Sequence, residues 1–153
     1  LVPVNPVPPI SNASQEATVC EGTAAIINLY GLLPFSVFTI DYSIDGIAQS
    51  SVSGLTADAS GTSSFNTTLL GAANDGQILQ ITGITVTSAT PNCSGQFALD
   101  VILGVYPATV GGSVAADQTI CAGTSPSDLL LTGYTGNIVK WQSASDPGFT
   151  VPL

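Results

Sequence analysis

Between Val37 and Ile44 the side chains alternate. Phe38, Ile40, Tyr42 and Ile44 fall on one face of an extended chain, and Val37, Thr39, Asp41 and Ser43 fall on the other. That period of two marks a half-buried β-strand. Asp45-Gly46 follows, a pair suited to the positive φ angles of a two-residue turn, so Ile47 is expected directly opposite Ile44. A hairpin with one apolar face is not stable alone in water and must be covered by a second sheet. This stretch therefore commits the chain to a layered β fold.

The rest of the sequence supplies such cover. Short segments rich in Val, Ile, Thr and Ser are each ended by Gly, Pro, Asn or Asp, the all-β pattern. Strands are predicted at Ile10 to Val19 and Thr23 to Tyr30, with Ala25, Ile27 and Leu29 sharing a face. A loop is predicted over Gly54 to Gly61, then a strand over Thr62 to Leu70 with Phe65, Thr67 and Leu69 aligned. In the strand predicted over Gln77 to Ser88 the apolar phase changes, from Leu79 and Ile81 to Ile84 and Val86. A β-bulge at Thr82-Gly83 is the simplest device that makes this switch. After a turn from Thr90 to Gly95, Gln96 to Tyr106 carries Phe97, Leu99, Val101, Leu103 and Val105 on one face. Seven or so strands in about 100 residues predict an immunoglobulin-like β-sandwich.

The chain then begins again. Pro6 recurs as Pro107, Cys20-Glu-Gly-Thr23 as Cys121-Ala-Gly-Thr124, Ile40 as Trp141 and Asp45 as Asp146, all at an offset of 101 (from 20 to 121). One register shared by separate landmarks is the signature of a tandem array. Residues 1–8 read as the end of a preceding repeat or a proline-stiffened linker, 9–108 as one complete sandwich, and 109–153 as the first three strands of a second, incomplete repeat. That part-sandwich leaves Ile138, Trp141 and Leu129 to Leu131 without an opposing sheet. Either more of the same polypeptide completes it, or another chain adds strands to it.

The 153 residues include one Lys, no Arg, no His and ten Asp or Glu, a net charge of −9. Nucleic-acid phosphates require Lys or Arg, so a nucleic-acid partner is excluded, and a polybasic membrane contact likewise. Mean hydropathy is positive, yet no apolar run approaches the roughly 20 residues of a spanning helix. Cys20, Cys93 and Cys121 are odd in number and lack metal-ligand spacing, which points to disulfides in an oxidising compartment and to a piece of a longer protein. Three arrangements are open: a Cys20–Cys93 pair within the domain, bridges from each to a neighbouring domain, or free thiols.

No catalytic constellation is legible, and neither enzyme activity nor a cofactor is expected. Lys140 is expected to face solvent. Asp41 and Asp45 lie about 13 Å apart along one strand, too far for a glycosidase pair. Asp58 and Asn74-Asp75-Gly76 carry oxygen ligands in loops, although loop Asp and Asn more commonly form turns. Asn12, Asn66 and Asn92 open glycosylation triplets. Tyr30, Tyr42, Tyr106 and Trp141 raise the possibility of a sugar-stacking platform, but Tyr42 and Trp141 occupy positions expected to face the core.

The segments VCEGT, PFSVFTIDYSIDG, NCSG and VYP of the first unit resemble the PKD-like and immunoglobulin-like repeats of very large cell-surface proteins of gliding and other Bacteroidota. The stretch DQTICAGTSPSDLLLTGYTGNIVKWQSASDPGFT of the second unit resembles them more closely. The resemblance implies PKD-like or immunoglobulin-like β-sandwich repeats in tandem, export by the type IX secretion system, and display on the outer surface as adhesin or filament arrays. It implies no catalytic residues, and it marks Cys20, Cys93 and Cys121 as disulfide cysteines. The expected function is thus a non-catalytic structural or adhesive repeat of a long extracellular protein. Its expected partners are neighbouring repeats, surface glycans or other copies of the chain. The alternatives are a carbohydrate-binding accessory module of a secreted enzyme and a filament subunit assembled by strand complementation.

Overall fold

The computed structural model describes residues 7–144. Leu1 to Pro6 and the expected second hairpin turn at Asp146 lie outside them. The chain divides after Ala108 into two units, the second beginning at Thr109.

The first unit carries, in chain order, β1 (Asn12–Gln15), β2 (Val19–Cys20), β3 (Thr23–Tyr30), β4 (Val37–Ile44) and β5 (Ile47–Ala48). There follow β6 (Val52–Thr56), β7 (Ser63–Leu70), β8 (Ile78–Val86), β9 (Cys93–Ile102) and β10 (Val105–Tyr106), with one 3-10 turn at Ala72–Asn74. One layer has the order β1-β3-β7. The other has the order β5-β4-β8-β9, with β6 also paired to β4. The fold is all-β and sandwich-like, and its core lies between the two layers.

The alternation read from the sequence sets which side chains meet there. Ala25, Ile27 and Leu29 of β3 face Phe38, Ile40, Tyr42 and Ile44 of β4, all buried. Each fully buried aliphatic or aromatic side chain contributes about 1.5–3 kcal/mol. Asp45 and Gly46 have φ of 49° and 77°, and Ile44 stands opposite Ile47 as the Asp-Gly pair requires. On β8, Ile81 pairs Tyr42 while Gly83 pairs Asp41, so Thr82 is an extra residue on that strand. This bulge returns Ile84 and Val86 to the core after Leu79 and Ile81.

Four expectations need correction. The strand predicted from Ile10 to Val19 is two strands, because the chain changes sheets across Glu16 to Thr18: β1 pairs β3, whereas β2 forms a separate two-stranded parallel sheet with β10. The predicted loop from Gly54 contains most of β6. Its Val52 and Leu55 are half-buried at a spacing of three, because Gly54 takes φ 73° and the register with β4 shifts there. On β7, Leu69 is exposed and Leu70 is buried in its place. Thr67 and Thr68 together oppose Ala25, and the Thr67 hydroxyl accepts the Ala25 N–H. Finally, the last long strand starts at Cys93, three residues early, and breaks at Leu103-Gly104.

At that break Gln15 acts as a surrogate strand. Its Nε2 donates to Gly104 O at 3.0 Å, and its Oε1 accepts the Gly104 N–H at 2.8 Å. The Thr18 side chain crowds Gly104: a Cβ there would lie 2.8 Å from Thr18 Oγ1.

In the second unit β11 (Gly111–Val114) and β12 (Leu131–Tyr134) form an antiparallel pair. Three strands were expected in this unit. Trp141, expected on a core-facing strand, instead lies outside any strand and is 53% exposed. Among the described residues no second layer covers it, so it lacks the partner that makes an apolar strand face stable.

Candidate functional site

The two Cys-x-Gly-Thr segments fold alike. Gly22 and Gly123 take φ of 82° and 84°, which a left-handed turn position needs. Thr23 Oγ1 donates to Cys20 O at 2.6 Å, and Thr124 Oγ1 donates to Cys121 O at 2.7 Å. Cys20 and Cys121 are both exposed. Cys20 pairs with Tyr106 at the end where the first unit's chain leaves β10, whereas Cys93 pairs with Val86 at the start of β9. The ten residues of β9 put about 30 Å between those ends, against the roughly 7 Å that a disulfide tolerates. The structure does not bring Cys20 and Cys93 together.

The acidic and amide candidates are engaged locally. Asp75 Oδ1 accepts the Val105 N–H, and Asn74 Oδ1 accepts the Gly71 N–H. Asp41 accepts the Ser51 hydroxyl, while Asp45 Oδ2 accepts Gln77 Nε2 at 3.4 Å. Among the described residues no three His, Cys, Asp or Glu side chains gather closely enough to hold a metal ion. Lys140 is exposed, as are Asn12, Asn66 and Asn92.

The aromatic candidates separate by environment. Tyr42 is 3% exposed, packs against Phe65 with ring centroids 5.2 Å apart, and accepts the Thr68 N–H on its hydroxyl. It is a core residue. Tyr106 is exposed beside Cys20. Tyr30, 36% exposed at the end of β3, lines an open groove of about 610 Å³ with Asn28, Thr56, Asp58 and Ser64. Because Ala25, Ile27 and Leu29 point inward, Asn28 and Tyr30 point outward, and pairing with β7 sets Ser64 beside Asn28. The β6 strand supplies Thr56, and the loop after it supplies Asp58.

The Asp58 carboxylate is fixed in place. Its Oδ1 accepts the N–H groups of Ser60 and Thr62, each at 2.8 Å, and its Oδ2 accepts the Thr62 hydroxyl at 2.6 Å. The Thr62 hydroxyl, followed by the Thr62 N–H, holds this carboxyl below its ordinary value of 3.8. The outward phase of Tyr30 was legible in the sequence. The Thr56 and Asp58 wall was not, because β6 lacks alternation.

A family model described as "Domain of unknown function (DUF8696)" matches residues 110–151, within the second unit. No curated protein and no solved structure matches the chain.

Proposed function

We propose that the chain is a tension-resisting structural and adhesive segment of a long extracellular surface protein, built from immunoglobulin-like or PKD-like repeats in tandem and without catalytic duty. The observation that carries this reading is the parallel pairing of β2 with β10. The strand near the beginning of the unit lies beside the strand at its end, both running the same way, with Val105 opposite Val19 and Tyr106 opposite Cys20. Pulling the two ends of the unit apart would slide these strands past each other. Their hydrogen bonds, Val19 N–H to Gly104 O and Glu21 N–H to Tyr106 O, would then be loaded together rather than one at a time. The Gln15 clamp on Gly104 lies in the same line of force.

The recurrence of the Cys-x-Gly-Thr turn at a fixed offset supports the tandem part of the reading. Three cysteines in a chain with a single cationic side chain support the extracellular part. Export by the type IX system and display on a Bacteroidota surface follow from the family resemblance alone.

Force spectroscopy on the full chain tests the mechanical claim. One cooperative rupture is expected, with a contour gain of roughly 350 Å for about 100 residues. Gradual extension without a discrete rupture would refute it. Labelling of intact cells by an antibody to the chain tests the surface claim, and signal only after permeabilisation would refute that.

A further inference from the structure

We propose that the groove lined by Asn28, Tyr30, Thr56, Asp58 and Ser64 binds a neutral saccharide. The site adds a ligand to the mechanical reading and does not depend on it. Its volume of about 610 Å³ lies within the range of small-ligand sites and exceeds that of one pyranose ring. Its chemistry matches a sugar's two-sided surface. Tyr30, 36% exposed, brings an aromatic side chain to the groove wall to meet the C–H side of a ring, and Asn28, Thr56 and Ser64 offer amide and hydroxyl groups for its hydroxyls. None of these four side chains has a hydrogen bond among the described residues, so their polar groups are free to bind.

Asp58 is ready before any ligand arrives. An ionised carboxylate has about four acceptor positions. Ser60 N–H, Thr62 N–H and the Thr62 hydroxyl hold it in place, and the carboxylate lines the groove as an acceptor for a sugar hydroxyl. The same three bonds fix the loop, so binding would order little additional backbone.

Charge selects the ligand class. The chain's single cation, Lys140, belongs to the other unit, and no Arg or His exists. A phosphate, sulfate or uronate in the groove would therefore meet the Asp58 charge with no counter-charge from the first unit. Neutral hexosides and N-acetylhexosaminides fit. A single open site of this size predicts affinity of roughly millimolar order, which an array would raise through multiple attachment.

The test is an NMR amide-shift titration of the full chain with methyl glycosides of glucose, galactose, mannose and N-acetylglucosamine, and with galacturonate as the anionic comparison. At least one neutral glycoside should give saturable shifts centred on Tyr30, Thr56 and Ser64. Tyr30→Ala should weaken this binding at least tenfold, and Asn28→Ala several-fold. If the amide spectrum of Tyr30→Ala shows loss of the folded core, Ser64→Phe replaces it by filling the groove, with the same loss expected. Absence of saturable shifts, shifts centred elsewhere, full binding by the folded variants, or tighter binding of galacturonate would each overturn the proposal. The force measurement is untouched by any of these outcomes.

Discussion

Replacing Gln15 tests how the first unit is closed. The side chain forms two hydrogen bonds with Gly104, at 3.0 and 2.8 Å, where β9 has ended and β10 has not begun. It thus occupies the place of a backbone partner between two strands from opposite ends of the unit. A typical hydrogen bond contributes about 0.5–1.5 kcal/mol net, and an unsatisfied group left behind costs about 1–3 kcal/mol. Gly104 is half-buried, so water partly replaces what is lost. Gln15→Ala should therefore cost about 1–3 kcal/mol, a factor of roughly 5–150 in an equilibrium constant. Hydrogen exchange by NMR reads this directly, with the Gly104 amide expected to lose protection by that factor. Gln15→Met retains much of the side-chain volume but no hydrogen bond, and should lose protection equally. Wild-type protection in the Met variant would refute the clamp and leave packing as the explanation.

Three further outcomes follow from the geometry. Gly104→Ala places a Cβ 2.8 Å from Thr18 Oγ1 and should destabilise the unit by about 1–3 kcal/mol in urea unfolding, with partial recovery in the Thr18→Ala background. The Asp58 carboxyl titrates lower in the folded chain than its usual 3.8, so its contribution is complete above that pH and disappears as pH falls through the lower folded value. The Ser60 and Thr62 amides should accordingly lose protection on acidification, and Asp58→Asn should remove that pH dependence. A non-reducing peptide map of the oxidised chain should contain no Cys20–Cys93 peptide, since the register holds the two at opposite ends of the unit; recovery of that peptide would contradict the register.

The central hairpin and the Thr82 bulge were legible in the sequence because each leaves a mark in apolar phase. Ile44 facing Ile47 needs only Asp45-Gly46, and a switch from odd to even core positions needs one extra residue. Where the register was adjusted without such a mark, the reading missed. Gly54 lets Val52 and Leu55 share a side at a spacing that resembles a loop. Thr67 and Thr68 displace Leu69 in favour of Leu70, and no residue type nearby announces it. The Gln15 clamp lies beyond local pattern, since its partner is 89 residues away. Half of the groove was hidden likewise: Tyr30 and Asn28 follow from alternation, whereas Thr56 and Asp58 reach it only through the unrecognised β6.

The extra residue at Thr82 has a consequence for how the sheet answers a sustained pull. A strand of uniform phase can creep along its neighbour two residues at a time and present the same face after each step. β8 cannot, because its halves are out of step: a two-residue shift carries Ile84 in one direction, or Ile81 in the other, across the kink and off the core face. The kink acts as a pawl against slip, since each step along the neighbour would take one large aliphatic side chain out of the core.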